Sequence, residues 1–172
     1  MIKDADEDKV NSLQQDLKVH PVVCKLLVQR GIYTYEAARK FFRPVLTDLY
    51  DPFLMKDMQK AIDRINTAIA NNERILIYGD YDVDGTTSVA LAYSFFYSIY
   101  KNIDYYIPDR YLEGYGISTK GIDHAKQTEC SLVIALDCGI KAVDKIAYAN
   151  TLGVDFIICD HHIPGDEVPA AF

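Results

Sequence analysis

The chain has 172 residues, 49% of them hydrophobic, with 25% charged and a net charge of −7. That length suits one domain with an annex and a sizeable core, and the acidic balance excludes a broad basic face for nucleic acid, though not a local one offset by bound cations. Met1–Asp8 is polar and acidic, unlike a signal peptide, and the longest apolar stretch, Ser88–Tyr100, is too short to cross a bilayer, so the expectation is a cytoplasmic protein with no membrane partner.

Residues 1–72 read as a helical region. His20–Arg30 carries Val22, Val23, Leu26 and Leu27, with Gly31 suited to the position after the helix end. Thr34 can cap a second helix, Tyr35–Phe42, which Pro44 ends, and Asp51-Pro52 is a turn. Asp57 can cap a long amphipathic helix with Met58, Ala61, Ile62, Ile65, Ala68 and Ile69 on one face, closed by Asn71-Asn72-Glu73. From residue 73 the pattern alternates. Strands are expected at Ile75–Tyr78, Ile103–Ile107, Leu132–Leu136 and Asp155–Cys159, with helices at Thr86–Tyr100, Thr119–Gln127 and Lys141–Asn150 between them. This βαβαβαβ order predicts an α/β fold, a parallel Rossmann-like sheet with flanking helices and right-handed crossovers. No helix follows the fourth strand, so the domain is expected to be incomplete. The cysteines, Cys24, Cys130, Cys138 and Cys159, form no CxxC pair and read as reduced, buried thiols.

Three of the four strands run into acidic residues. Ile75–Tyr78 leads to Gly79-Asp80-Tyr81-Asp82-Val83-Asp84-Gly85, Leu132–Leu136 to Asp137-Cys138-Gly139, and the last strand to Asp160-His161-His162. Ligands of open parallel sheets bind outside the carboxyl ends of the strands, so these groups should gather at one edge. Five carboxylates there repel one another unless cations sit among them. Asp80, Asp82 and Asp84, at alternate positions, share one side of an extended chain. An EF-hand loop is excluded, because its twelfth position would be Leu91 rather than a glutamate. Asp137 reads as a carboxylate bridging two metals, against the plainer reading of a turn residue. Of His161 and His162, neighbours in extended chain, one should face the metals and the other substrate or its own support. A zinc site built from Cys138, Cys159 and the two histidines has the right ligand types but not the close-paired spacing, and the carboxylates favour Mn²⁺ or Mg²⁺. After the second strand, Arg110 can contact a phosphate, Gly114 and Gly116 can let backbone amides approach one, and Tyr111 or Tyr115 can stack on a base. A glycine-bearing turn with buried tyrosines reads equally well there.

Together, the Gly79–Gly85 segment, Asp137-Cys138-Gly139 and Asp160-His161-His162 resemble the first three motifs of the DHH phosphoesterase superfamily. The lead-in from Arg30 to Arg39 and from Leu49 to Phe53, with Ile107–Gly116, resembles the superfamily's single-strand exonucleases in particular. The resemblance covers nearly the whole chain from about residue 20. It implies a two-metal site of Mn²⁺ or Mg²⁺, with Asp82, Asp84, Asp137 and His161 as ligands, Asp80 a ligand or a support for one, and His162 on the scissile phosphate. It also implies in-line displacement at phosphorus, single-stranded DNA as substrate, a role in DNA repair and recombination, and a single-strand-binding protein and a helicase as partners. The superfamily carries a fourth motif and a further domain that this sequence does not reach. Residues 73–172 are therefore expected to be the N-terminal portion of the catalytic domain, with little or no activity alone.

Two other functions remain open on the sequence. One is a DHH phosphodiesterase acting on oligoribonucleotides, cyclic dinucleotides or pyrophosphate, which the helical lead-in disfavours. The other is a non-catalytic replication scaffold of the same fold, which the intact acidic and histidine set disfavours.

Overall fold

The computed structural model describes residues 4–172, which divide into two compact units, the first ending at Leu54 and the second running from Met55 to Phe172. The first unit holds helices α1 (Glu7–Leu17), α2 (Pro21–Gln29) and α3 (Tyr35–Phe42), followed by two short 3₁₀ turns. Its core is Val10, Leu13, Cys24, Leu27 and Ala38. Thr34 caps α3 as the sequence suggests, its hydroxyl accepting from the Ala37 amide at 3.2 Å. Helix α1 was not singled out within the helical region, and neither was the cap of α2, where His20 Nδ1 accepts from the Val22 amide at 3.3 Å.

The second unit is a four-stranded, all-parallel sheet in the order β2-β1-β3-β4. The strands are β1 (Arg74–Gly79), β2 (Ile103–Tyr106), β3 (Cys130–Leu136) and β4 (Asp155–Cys159). The apolar runs of the inner strands β1 and β3 are buried on both faces, as a parallel sheet requires, while the edge strand β2 is partly exposed. One face packs Ile75, Ile77, Leu132, Ile134 and Ile157 against α4 (Met58–Ala70) and α5 (Val83–Ile99). The other packs Leu76, Tyr78, Val133, Ala135 and Phe156 against α6 (Thr119–Gln127) and α7 (Val143–Thr151). Helix α4, read from sequence as part of the helical region, sits in this unit because its apolar stripe of Ala61, Ile65, Ala68 and Ile69 covers the sheet. Asp57 does not cap it: its backbone is left-handed at φ 58° and its side chain makes no capping bond.

Chain order and spatial order differ in one place that matters. From β1 the chain crosses to β2 on one side, then returns past β1 to β3 and continues to β4. The reversal lies between β1 and β3, and a crevice opens at such a point outside the carboxyl ends of the strands. The segments that follow β1, β3 and β4 begin there.

Candidate metal and phosphate site

The turn after β1 is built by close backbone approach. A Cβ on Gly85 would lie 2.4 Å from the Asp80 carbonyl oxygen and 2.7 Å from its nitrogen, and one on Gly79 2.8 Å from the Gly85 oxygen. Only glycine fits either position without moving main chain. The turn folds Asp80 inward and leaves Asp82 to cap α5, its Oδ1 accepting from the Gly85 amide at 2.9 Å. The helix therefore starts at Val83, three residues earlier than expected, and Asp84 lies in its first turn. The extended alternation that would align Asp80, Asp82 and Asp84 ends at the cap. Asp80 is fully enclosed, while Asp82 and Asp84 are exposed.

Asp80 carries the most telling atom of the site. Its Oδ1 accepts from the Gly116 amide at 3.1 Å, and its Oδ2 is buried with no hydrogen-bond partner. A buried carboxylate oxygen without a donor is costly, and a cation is the usual compensation.

Asp137 follows β3 in a left-handed conformation, φ 59°, with its amide donating to the Cys159 carbonyl at 2.8 Å. Its carboxylate is 8% exposed, and Oδ1 stands 3.0 Å from His161 Nε2. Ligand atoms of Asp137, His161 and His162 lie within 4.8 Å of one another. Adjacent ligands at right angles on a small divalent ion about 2.1 Å away would stand about 3 Å apart, so the Asp137–His161 spacing suits metal binding as well as a hydrogen bond. The two histidines do not diverge as extended neighbours would; their ring centroids are 4.7 Å apart.

Asp160 organises this end. Its carboxylate is 2% exposed. Oδ2 accepts from the Ile140 amide at 3.0 Å, and Oδ1 accepts from the His162 amide at 3.0 Å and faces His162 Nδ1 at 2.7 Å. Burial opposes ionisation of Asp160, but these N–H groups and the ring outweigh it and hold the carboxyl below its usual range. The same bond raises the His162 imidazole above its usual value. With the Nδ1 proton donated to Asp160, Nε2 is left for other partners, and the Tyr115 hydroxyl lies 3.3 Å from it. Asp160 belongs to a motif the sequence picks out, yet its role there is positioning, which only the contacts reveal.

The segment after β2 forms one wall. Glu113 holds it together by accepting from Tyr106 Oη at 2.9 Å, from the Asp109 amide at 2.9 Å and from the Ser118 hydroxyl. Buried Tyr78 donates to the Gly116 carbonyl at 2.9 Å and accepts from the Ser118 amide at 3.0 Å. Gly114 and Gly116 both have φ 81°, but the Gly116 amide is taken by Asp80 and is not free for a ligand. Arg110 stands over the Tyr81 ring at 5.3 Å, and Tyr81 meets Tyr115 edge-on at 6.1 Å.

Acidic charge converges on this edge. Burial pushes the Cys138 thiol up to about 12, and Asp80, Asp160, Asp137 and Asp82 add to the rise. Tyr115 is likewise pushed up to about 12, by desolvation first and then by Asp80, Asp82 and Asp137. Among the described residues the ligand atoms that come together are those of Asp137, His161 and His162, with neither Cys138 nor Cys159 among them, so the zinc–thiolate alternative has no cluster to stand on.

An open parallel α/β sheet with carboxylates and imidazoles gathered at its switch point defines a domain suited to divalent cations and phosphate. The chain belongs to the DHH family: the model of the DHH family, N-terminal domain, matches residues 74–172. It is 46% identical over 168 residues to the single-stranded-DNA-specific exonuclease RecJ of Bacillus subtilis, covering 98% of this chain and 21% of that protein. It is 33% identical to the RecJ of Escherichia coli, covering 88% of this chain and 26% of that protein. A crystal structure of exonuclease RecJ bound to manganese matches with a TM-score of 0.63 and 29% identity, over 68% of this chain and 30% of that one. RecJ of Thermus thermophilus in complex with Mn²⁺ shares the fold, with a TM-score of 0.70 at 22% identity over 99% of this chain and 23% of that one. The chain thus spans between a fifth and a third of the length of these relatives. Among the described residues, no helix is long and apolar enough to cross a membrane.

Proposed function

We propose that this chain forms the metal-holding part of a single-stranded-DNA-specific 5′-to-3′ exonuclease. The observation that carries the reading is the buried, unpartnered Asp80 Oδ2 at the same edge as the Asp137–His161–His162 cluster. The 46% identity to a single-stranded-DNA-specific exonuclease supports it. Asp80, Asp82, Asp84, Asp137 and His161 are the residues that would hold two Mn²⁺ or Mg²⁺ ions. Such ions activate water and neutralise charge building on a phosphate.

The protein's own groups do the rest. Asp160 fixes the His162 ring at Nδ1 and favours its protonated form, whose Nε2–H can donate to a phosphate oxygen. Asp137 anchors His161. Arg110 and Tyr115 stand on the wall where a terminal nucleotide would enter, Arg110 offering a fork to phosphate and Tyr115 a ring face to a base. A single-strand-specific nuclease needs DNA already opened, which is why a helicase and a single-strand-binding protein are the fitting partners. Repair and recombination, carried out in the cytoplasm, are the fitting processes.

The test is a chimera in which this chain replaces the matching segment of the Bacillus subtilis protein. With Mn²⁺ it should release nucleotides from the 5′ end of labelled single strands and spare duplex, and Asp137→Ala should abolish the activity. Preference for cyclic dinucleotides or pyrophosphate would support the small-substrate phosphodiesterase instead. No hydrolysis, in a folded chimera, would support the scaffold.

A further inference from the structure

In the run Ile75–Tyr78 of β1, only Tyr78 brings a polar side-chain atom into the core, and its side chain is fully enclosed. An enclosed hydroxyl costs stability unless it is hydrogen-bonded, and an apolar side chain would avoid that cost. Two neighbours fix the ring. It stacks on Tyr106, with centroids 5.5 Å apart and 19° between the planes, and a Cβ on Gly121 would lie 2.5 Å from Tyr78 Cε2.

Both bonds of the hydroxyl go to one short turn, 38 and 40 residues further along the chain. It donates to the Gly116 carbonyl at 2.9 Å and accepts from the Ser118 amide at 3.0 Å. Gly116 needs such a hold. Its φ is 81°, and no atom beyond its chain neighbours lies within 4 Å of the place a Cβ would take, so packing does not set its orientation. The Gly116 amide is in turn the only donor to the Asp80 carboxylate among the described residues, at 3.1 Å from Oδ1. The direction of the bare Oδ2 therefore depends on where that amide points.

We propose that Tyr78 is a positioning residue for the metal site: its hydroxyl pins Gly116, and the Gly116 amide aims the Asp80 carboxylate at the ion. Groups that hold a ligand in place set metal affinity almost as strongly as the ligand does. The inference rests on the proposed function, which gives Asp80 an ion to hold.

The test follows two quantities in this chain: Mn²⁺ affinity by calorimetric titration, and exchange of the Gly116 amide proton by NMR without metal. Tyr78→Phe keeps the ring and removes both bonds. It should weaken Mn²⁺ binding about tenfold and speed Gly116 exchange. Tyr100→Phe removes a hydroxyl that donates to the Glu73 carbonyl at 2.5 Å, away from the site, and should change neither. A second pair keeps the test decisive if circular dichroism shows Tyr78→Phe unfolded. Gly116→Ala strains a left-handed backbone without a clash and should also weaken Mn²⁺ binding, whereas Gly31→Ala, with φ 78° and equally open space, should not. Parental affinity in Tyr78→Phe and Gly116→Ala, beside a parent that binds Mn²⁺, overturns the positioning role and leaves the proposed function standing. A loss matched by Tyr100→Phe or Gly31→Ala would be general destabilisation and also overturns the role. Unchanged Gly116 exchange in Tyr78→Phe overturns the pin whatever the metal does. A parent that binds no Mn²⁺ overturns the proposed function, and the positioning role with it.

Discussion

Asp80 and Asp160 are both enclosed acids at one sheet edge, and they differ in a single respect. Each Asp160 oxygen has N–H partners, whereas Asp80 Oδ2 has none. Asp160 is therefore complete without a ligand, and Asp80 is not. The consequence is measurable. Asp80→Asn removes an uncompensated buried charge, so without metal the variant should be as stable as the parent or more so, by on the order of 1 kcal/mol in chemical denaturation. The same change should lower the affinity for Mn²⁺. Clear destabilisation without metal would mean that the carboxylate is satisfied by the protein itself. Sequence alone marks both acids but cannot separate them, because hydrogen bonds to distant amides, Gly116 for one and Ile140 for the other, decide which is free.

At the scale of elements, the strands were the most legible part. Asp155–Cys159 matches its expected bounds, and β1, β2 and β3 differ from theirs by one or two residues, since short branched runs between turn residues have few other homes. Helices Tyr35–Phe42 and Thr119–Gln127 also match their expected bounds, but the start of α5 does not. The i, i+2, i+4 spacing of Asp80, Asp82 and Asp84 suggests extended chain, but Asp82 accepts from the Gly85 amide and starts α5, and that capping bond overrides the alternation. Asp82 thus has two tasks that substitution separates. Asp82→Asn keeps a good cap and removes a charge from an acidic edge, so the fold should hold while Mn²⁺ binding weakens. Asp82→Ala should also lose about 1 kcal/mol of cap, read as a lower denaturation midpoint than that of the asparagine variant. Equal midpoints for the two would remove the capping role.

A second group of contacts ties elements together at the opposite edge of the sheet. Arg64 of α4 donates to Glu73 and to Asp155 of β4, each at 2.7 Å, and Glu73 also accepts from Ser131 of β3. Burial works against the Glu73 carboxylate, but the Ser131 and Arg64 bonds prevail and set it below its usual 4.5. A carboxyl lowered on folding stabilises the protein above the unfolded value and loses that contribution as pH falls through the folded one. Thermal stability should therefore hold from neutral pH down to about 5 and decline below 4.5, and Glu73→Gln should flatten that decline. An acid limb of unchanged steepness in the variant would assign acid unfolding to other groups.

For the whole molecule, the strand order explains why residues between 80 and 162 meet. Because the chain reverses between β1 and β3, the ends of β1, β3 and β4 are brought side by side, and the segment after β2 closes over them through Glu113 and Tyr78. The sequence announced a parallel sheet and three acidic strand ends. It did not announce the order of strands or the role of Asp160, because each depends on which distant segments become neighbours. The central claim is that these ends form a metal centre, and Mn²⁺ titration tests it most directly. Thermal melting of this chain should shift upward with added Mn²⁺, each tenfold rise above Kd adding about 1.4 kcal/mol, and Asp137→Ala should abolish the shift. A melting temperature flat to millimolar Mn²⁺, or a shift that survives Asp137→Ala, would contradict the account.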